Sequence, residues 1–280
     1  MHDATAMSIA EGKSDIDLQA VRSVLFLPAS NSRAIEKARG LNADLVVLDL
    51  EDAVKPADKT AARAAAVGAV ASDWPMPVAI RVNAVGTEWH SLDLDAVASS
   101  KSDFFVLPRA NAARLVRSDR ETVGKPVLAM IETASGVLAA AEIAPETAGL
   151  IAGTNDLRAD LGLPLDASRE PIGAALQLIV LAARAARVAV FDGVFNQLTD
   201  PSGFQSECRH GRMLGFDGKS LIHPNQIEAC NRLFGPSDNE IERARGLVAA
   251  FSGGAERFED EMIERMHVEA AKRVLERAKS

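Results

Sequence analysis

Two acidic residues stand at the ends of two short apolar segments in the middle of the chain. The segment VLAMI stops at Glu132, and the segment GLIAG is followed by Thr154, Asn155 and Asp156. Short apolar runs bounded by turn-forming residues are typical of strands that are buried on both faces. Carboxylate oxygens are ligands that a hard cation such as Mg²⁺ prefers. The pattern therefore suggests a cation site with Glu132 and Asp156 as ligands.

Other polar side chains follow apolar segments in the same way. They are Glu51, Asp52, Arg81, Asn83, Arg109 and Asp192. If the segments are parallel strands, their carboxyl ends share one rim, which is where ligands bind in such folds. Acids able to hold Mg²⁺ with its water ligands would then face arginines able to hold an anion. The sequence contains neither an HExxH motif nor a zinc-like spacing of His and Cys, which argues against zinc.

The same residues also have ordinary structural interpretations. Asp156 could cap the turn LRADLG, and Glu132 could stand over the first turn of a following helix. Arg81 could form a salt bridge at the rim, although its planar guanidinium also suits bidentate binding of a carboxylate. The residues alone leave these alternatives open.

Strand-like and helical segments alternate along most of the chain. The predicted strands are SVLFLPA, DLVVLDLEDAV, PVAIRVN, DFFVLPR, VLAMI, GLIAG, VAVFDGV and GKSLI. Such alternation requires right-handed parallel crossovers, and eight units close most naturally into a barrel. An open doubly wound sheet is disfavoured because the first strand leads into LFLPASN rather than a GxGxxG loop. We therefore predict an α/β fold, a (β/α)8 TIM barrel with a C-terminal helical extension.

The two ends of the chain depart from the barrel pattern. Residues 1–20 form a polar tail, residues 21–235 the predicted barrel, and residues 236–280 the predicted helical extension. Within the extension we predict a helix in NEIERARGLVAAF, a break at SGGA and a terminal helix in RFEDEMIERMHVEAAKRVLERA. Four residues fall roughly on one face of that terminal helix: Ile263, Met266, Ala270 and Val274. We expect this apolar face to pack on a neighbouring subunit, and so we expect an oligomer.

Composition excludes several classes of partner. The net charge is -8 and the pI about 5.3, without a dense basic stripe, so nucleic acid is not an expected partner. The two cysteines are too few for a disulfide framework, which favours a reducing compartment. The first residues lack the pattern of a signal peptide and no apolar run is long enough to span a membrane. We expect a soluble, cytoplasmic protein that does not bind membranes.

Six segments together resemble one enzyme family. They are RSVLFLPASN from Arg22, ADLVVLDLEDAV from Ala43, IRVNAVGTEWHSLDL from Ile80, LAMIETASGVL from Leu128, GTNDLRADLG from Gly153, and FDGV with GFDGKSLIHPNQI from Phe191 onward. Their order and number make them far more specific than a single motif. The chain resembles the citrate lyase beta subunit-like branch of the HpcH/HpaI aldolase family, which includes malyl-CoA and citramalyl-CoA lyases.

The resemblance implies a set of functional residues. It implies Mg²⁺ held by Glu132 and Asp156, a substrate carboxylate bound by Arg81, and Glu51 with Asp52 supporting the water ligands of the metal. The implied reaction cleaves or forms the carbon-carbon bond of a short hydroxyacyl thioester such as citryl-, malyl- or citramalyl-CoA. Its products are a 2-keto acid and an acyl thioester carried by coenzyme A or an acyl carrier. A homotrimer or homohexamer is the expected assembly.

Further candidate functional residues lie at the edge of a matching segment or where the chain departs from the family pattern. Arg22, at the start of the first segment, is expected to contribute to substrate binding. Relatives carry a catalytic acid in a GxMID segment, often contributed across the subunit interface; here the segment is EDEMIER, with Glu264 at the acid position and Asp260 in place of the glycine. The loop after strand one is PASN instead of PG, and Arg109 replaces a common lysine.

Two alternative functions stay open, the first of them an activity found in the same superfamily. The chain could be a CoA-independent class II aldolase acting on 4-hydroxy-2-oxo acids with the same metal pair. The altered EDEMIER segment also suggests a catalytically weakened subunit with a binding or regulatory role.

Overall fold

The computed structural model describes residues 16–278 of the chain. Its centre is a closed barrel of eight parallel strands that follow one another in chain order. These strands are β1 (Ser23–Pro28), β2 (Leu45–Asp49), β3 (Val78–Arg81), β4 (Phe104–Leu107), β5 (Val127–Ile131), β6 (Gly149–Ala152), β7 (Ala189–Asp192) and β8 (Gly218–Leu221). The predicted (β/α)8 TIM barrel is thereby confirmed. Residues 1–15, most of the predicted polar tail, and residues 279–280 lie outside the described residues.

Helices alternate with the strands and continue after the barrel. They are α1 (Ser32–Ala38), α2 (Lys59–Val70), α3 (His90–Ala98), α4 (Ala113–Val123), α5 (Ala134–Ile143), α6 (Thr154–Asp160), α7 (Gly173–Ala186), α8 (Pro201–Leu214), α9 (Ile227–Phe234), α10 (Asp238–Ala250) and α11 (Arg265–Arg277). None of the helices among residues 16–278 is both long and apolar enough to cross a membrane.

The strands read as continuous apolar runs because both of their faces are covered. Successive side chains of a strand point to opposite faces. In β2, Leu45 and Val47 belong to the cluster that fills the barrel interior, whereas Val46 and Leu48 pack in the larger cluster under the helices. Parallel strands of this kind require apolar side chains in both directions.

Strand register brings charged residues together at the carboxyl rim. Asp49, the last residue of β2, pairs directly with Arg81, the last residue of β3. The amide of Leu50 then donates to the carbonyl of Arg81 at 2.9 Å, which keeps the two chains adjacent just beyond the strands. A site at this rim is therefore built on rigid strand ends.

The short helix α6 occupies the segment in which the sequence indicated only a turn. It begins directly after β6 and Gly153, and Asp156 lies in its first turn. An acid in that position is favoured by the partial positive charge of a helix N-terminus. The helix therefore fixes the direction in which Asp156 leaves the barrel rim.

The terminal helix predicted for residues 257–278 is wrong over its first part. Residues 256–263 form an antiparallel hairpin of β9 (Glu256–Phe258) and β10 (Glu261–Ile263), and α11 begins only at Arg265. Glu259, in the turn, has a positive φ of 53°, which a helix does not accommodate. Arg243 of α10 pairs with Glu259 and with Glu261, the latter at 2.5 Å, and these contacts hold the hairpin on α10.

The apolar face of the extension also differs from the predicted one. Ile263, Val268 and Ala271 are buried within the same chain, in a cluster with residues of α10, whereas Met266 is 67% exposed. Because a hairpin and not a helix precedes α11, the residues before Arg265 do not follow helical spacing. The buried face of the extension therefore contains other residues than one continuous helix would predict. Arg277 donates to the carbonyl of Asp217 at 2.8 Å and so ties α11 to its own barrel. Contact with a neighbouring subunit stays a prediction.

Candidate active site

A cavity of about 370 Å³ opens at the carboxyl ends of the barrel strands. Its charged lining includes Asp52, Arg81, Glu132 and Asp156. Active sites of TIM barrels form at this end because the loops after the strands converge there. A larger hollow of about 830 Å³ at the opposite end contains none of the predicted site residues. The structure thus brings four of the predicted residues to one cavity.

Glu132 follows β5 directly and is 2% exposed. It does not cap the next helix, because the side chain of Thr133 accepts from the amide of Gly136 and performs that role. Instead, Glu132 Oε1 accepts a 2.6 Å hydrogen bond from the amide of Arg109, whose backbone has a positive φ of 52°. Burial raises the pKa of Glu132 to about 7, the Arg109 amide opposes this rise, and the Asp156 charge adds to it.

A glycine leaves room for the Glu132 carboxylate. A Cβ atom at Gly153 would lie 2.3 Å from Glu132 Cβ and 2.4 Å from Glu132 Oε2. No side chain fits at this distance without moving the carboxylate. Gly153 is also the residue that separates β6 from α6, so it serves both the turn and the acid beside it.

Asp156 projects from α6 into the same cavity and is much more exposed than Glu132. Its side chain is 41% exposed, and its Oδ1 lies 3.7 Å from Nη1 of Arg109. Arg109 therefore contacts both acids, Glu132 through its amide and Asp156 through its guanidinium. Because the ion pair is exposed and long, it holds Asp156 only weakly.

The donors in this cavity fit Mg²⁺. Among residues 16–278, no three His, Cys, Asp or Glu side chains form a ready-made metal cluster. Mg²⁺ does not need one, since it retains several waters and binds to one or two carboxylates and to substrate oxygens. Oε1 of the buried Glu132 accepts from an amide, and Oε2 faces the space beside Gly153. A nearby cation would stabilise the charged form of this carboxylate.

Arg81 reaches the cavity from β3 while tightly held by a residue that the sequence analysis missed. Asp49 accepts hydrogen bonds from Nε at 2.6 Å and from Nη2 at 2.7 Å, and both side chains are buried. Burial acts to lower the pKa of Arg81, but the Asp49 carboxylate outweighs it and raises the pKa. A sequence signal existed: an acid within an apolar strand is seldom buried without a cationic partner.

Glu51 and Asp52 lie on the same loop but in different environments. Glu51 is largely buried, with Oε2 at 2.9 Å from Nη1 of Arg81, although the contact does not have hydrogen-bond geometry. Burial raises the pKa of Glu51 to about 8; Arg81 opposes this rise and the Asp52 charge adds to it. The Asp52 side chain is 69% exposed, at 3.8 Å from Nη1 of Arg81.

A buried lysine holds the loop that carries these two acids. Lys59 Nζ donates to the carbonyls of Leu50 and Glu51, at 2.8 and 2.7 Å, and to Asn83 Oδ1 at 2.6 Å. Asn83 in turn donates to Asp93 from its amide and its side chain, at 2.9 and 2.6 Å. Lys59 and Asp93 were not predicted as site residues, because their importance depends on contacts between β2, β3 and two helices.

Arg22 lies outside the cavity, so the prediction that it binds substrate there is corrected. It precedes β1 and therefore lies at the amino end of the barrel, away from the carboxyl rim. Its guanidinium forms two hydrogen bonds with Asp44, at 2.8 and 2.9 Å, just before β2. Arg22 thus joins two strands at the opposite end.

Two other acids are not brought into the cavity by this chain alone. Glu264 is exposed, directly before α11, and its amide donates to Nδ1 of His267 at 2.9 Å. Asp192 at the end of β7 is fully buried between the barrel and the helices, paired with Lys219 at 3.0 Å and Arg169 at 2.5 Å. The arrangement of Asp192 is that of a structural ion-pair network.

The chain is similar to known proteins over most of its length. The HpcH/HpaI aldolase/citrate lyase family profile matches residues 22–224. A (3S)-malyl-CoA thioesterase of Cereibacter sphaeroides is 41% identical over 92% of this chain and 95% of its own length. A citrate lyase subunit beta of Leuconostoc mesenteroides is 32% identical over 92% of this chain and 93% of its own.

Solved structures give the same family. The protein CitE of Mycobacterium tuberculosis, in complex with magnesium, acetoacetate and coenzyme A, has a TM-score of 0.83 and 34% identity, over 94% of this chain and all of the other. The citrate lyase beta subunit of the same organism, complexed with oxaloacetate and magnesium, has a TM-score of 0.72 and 36% identity, over 79% of this chain and all of the other. The chain therefore belongs to the HpcH/HpaI aldolase/citrate lyase family and is a lyase-type enzyme.

Proposed function

We propose that this chain is a Mg²⁺-dependent lyase acting on a short hydroxyacyl thioester, which it cleaves to, or forms from, an acyl thioester and a 2-keto acid. The observation that carries the proposal is the convergence of Glu132, Asp156 and Arg81 on one cavity. A 2-keto acid that binds through a cation requires hard oxygen ligands for that cation. It also requires a guanidinium beside them for its carboxylate. The relatives crystallised with magnesium and keto acids support it.

In this proposal Glu132 and Asp156 hold the metal, and Glu51 with Asp52 interact with its water ligands. Bound Mg²⁺ supplies Lewis-acid polarisation of a substrate oxygen. Arg81 binds the substrate carboxylate with the part of its guanidinium that Asp49 leaves open. Because Asp49 already fixes the guanidinium, substrate binding need not order that side chain, which lowers the entropic cost of positioning the substrate.

The reaction itself is a proton transfer followed by carbon-carbon cleavage. A base removes the hydroxyl proton, the oxygen electrons form the new carbonyl, and the electrons of the broken bond pass to the thioester enolate. Protonation of that enolate completes the acyl thioester. We assign the base to Glu264 of a neighbouring subunit in a homotrimer or homohexamer, because Glu264 stands at the acid position of the segment that resembles GxMID. Glu264 is exposed and does not line the cavity of its own chain, so a neighbouring subunit would have to supply it.

A second candidate activity is hydrolysis of the thioester. It is favoured by the 41% identity to a protein named (3S)-malyl-CoA thioesterase. Hydrolysis adds water to the thioester carbonyl and releases a free thiol and a hydroxy acid, whereas the lyase reaction releases a 2-keto acid and no thiol. The two products can be measured in one reaction mixture.

The test is an assay of malyl-CoA, citramalyl-CoA, citryl-CoA and a free 4-hydroxy-2-oxo acid side by side, with Mg²⁺ and with a chelator. We expect Mg²⁺-dependent release of a 2-keto acid from one or more thioesters. Thiol release without keto acid would assign the hydrolase. Turnover of only the free hydroxy-oxo acid would assign the CoA-independent aldolase, and keto-acid binding without turnover the regulatory subunit.

The metal ligands are tested separately by calorimetry. Glu132→Gln should abolish Mg²⁺ binding, because it removes the buried charge and one of the two carboxylate donors. Glu146→Gln is a matched control, since Glu146 pairs with Arg117 and Arg120 away from the cavity. An unchanged Mg²⁺ affinity in Glu132→Gln would refute the assignment.

A further inference from the structure

The hydroxyl of Ser220 makes no hydrogen bond within the part of the chain that the structure describes. Ser220 lies on β8, is 2% exposed and lines the cavity that contains Glu132, Asp156 and Arg81. Its Oγ is buried and has no hydrogen-bond partner within residues 16–278. Buried polar atoms are nearly always paired, so an unpaired hydroxyl requires an explanation.

The direction of the side chain follows from its neighbour in β8. Lys219 Nζ contacts Asp192 and Glu207, so the Lys219 side chain points outward to the helices. Successive side chains of a strand alternate, and Ser220 therefore points into the barrel. This agrees with its place in the cavity lining.

Two other buried hydroxyls near the barrel have partners. Ser23 Oγ accepts from the amide of Asp44 at 3.0 Å, and Thr133 Oγ1 accepts from the amide of Gly136 at 3.0 Å. Ser220 differs from them because no acceptor of residues 16–278 forms a hydrogen bond with its Oγ. The cavity that it lines also includes the apolar side chains of Phe26, Met130, Val194 and Ile222. These side chains have no oxygen to accept its proton.

The guanidinium of Arg81 is already in contact with acids of its own chain. Asp49 occupies Nε and one hydrogen of Nη2 of Arg81, which leaves only part of the guanidinium for a substrate. A carboxylate has two oxygens and about four acceptor positions. A ligand held at Arg81 thus has acceptor capacity that Arg81 alone does not fill.

We propose that the Ser220 hydroxyl donates a hydrogen bond to a carboxylate oxygen of the bound 2-keto acid and is a specificity-determining residue of this site. The proposal rests on the proposed function. The hydroxyl adds a donor at the end of β8, complementing Arg81 from β3. It contributes to keto-acid affinity and not to metal affinity or folding.

The test compares variants of the full chain by calorimetry, with Mg²⁺ alone and then with pyruvate or oxaloacetate at saturating Mg²⁺. Ser220→Ala should weaken keto-acid binding about 10-fold, as expected for one hydrogen bond to a charged acceptor. Its Mg²⁺ affinity and melting temperature should be unchanged, because no bond within the protein is lost. Ser220→Thr should bind the keto acid about 10-fold more tightly than Ser220→Val, since the pair differs chiefly by the hydroxyl.

Ser23→Ala is the matched control for loss of a buried hydroxyl. It removes the bond to the Asp44 amide at the amino end of the barrel, so the melting temperature should fall while keto-acid affinity is retained. If Ser220→Ala binds the keto acid with the affinity of the wild type, the inference about Ser220 is overturned, whether or not the melting temperature falls. The proposed function is not affected by that result. Failure of the wild-type chain to bind Mg²⁺ and either keto acid would overturn the proposed function and the inference with it.

Discussion

The buried pair of Asp49 and Arg81 makes a direct prediction about Asp49→Asn. The Asp49 carboxylate accepts from four N–H groups: Arg81 Nε at 2.6 Å, Arg81 Nη2 at 2.7 Å, the amide of Glu51 at 2.8 Å and the amide of Ala53 at 3.1 Å. Asparagine keeps the shape but replaces one oxygen by an NH₂ group. That group faces two of these donors and can accept from neither.

The magnitude follows from the loss of a buried counter-ion. Removing one partner of a buried ion pair costs about 3–5 kcal/mol. Glu51 lies 2.9 Å from Arg81 Nη1, and burial holds its pKa at about 8, against the influence of Arg81. When Asp49 becomes neutral, Glu51 can ionise in its place, so we expect a loss near the lower end, about 3 kcal/mol.

The assay is urea unfolding at pH 7, with calorimetry of keto-acid binding on the same variant. Asp49→Asn should lower the free energy of unfolding and also weaken keto-acid binding, because Arg81 is no longer held in one orientation. Asp52→Asn is the control, since its exposed carboxylate lies 3.8 Å from Arg81 and should change stability by less than about 1 kcal/mol. A loss of under about 1 kcal/mol in Asp49→Asn would refute the reasoning.

Two further predictions concern a glycine and a histidine. Gly153→Ala should weaken Mg²⁺ binding measured by calorimetry, because its Cβ would displace the Glu132 carboxylate, whereas Gly68→Ala, with nothing within 4 Å of its Cβ inside α2, should leave binding intact and raise stability by up to about 1 kcal/mol. The Asp119 carboxylate, 3.3 Å from Nε2 of His90, raises the pKa of His90 above 6.5. His90 therefore stabilises the fold fully below pH 6.5 and loses this contribution as the pH rises through its folded pKa. The difference in unfolding free energy between wild type and His90→Gln should therefore shrink as the pH is raised above 6.5 in urea titrations; a difference that grows would contradict the assigned contact.

Some features of the site follow from strand polarity alone. Glu132, Asp156 and Arg81 could be assigned to one rim because parallel strands of a barrel all end at the same edge. The same rule, applied to Arg22, places it at the other edge, since it precedes its strand rather than following it. The predicted substrate-binding role of Arg22 comes from a sequence motif, and a motif does not indicate at which end of the barrel a residue lies.

Other features depend on residues that are distant in the sequence. Asp49 and Arg81 are separated by 32 positions, and nothing within either segment shows that β2 and β3 align these two residues. The hairpin before α11 packs on α10, where Ile263 is buried and Arg243 pairs with Glu261 across 18 positions. Local pattern favoured a helix there, and the contact with α10 overrode it.

By itself, the sequence determined the barrel and the rim that carries the acids, since both follow from the periodicity of apolar residues and from strand direction. Only the tertiary structure decided how the polar groups are paired. Asp49 binds Arg81, Lys59 binds the carbonyls of Leu50 and Glu51, and Ser220 has no hydrogen-bond partner among residues 16–278. The physical reason is that burial makes every polar group require a partner, and the identity of that partner depends on the packing of separate strands and helices.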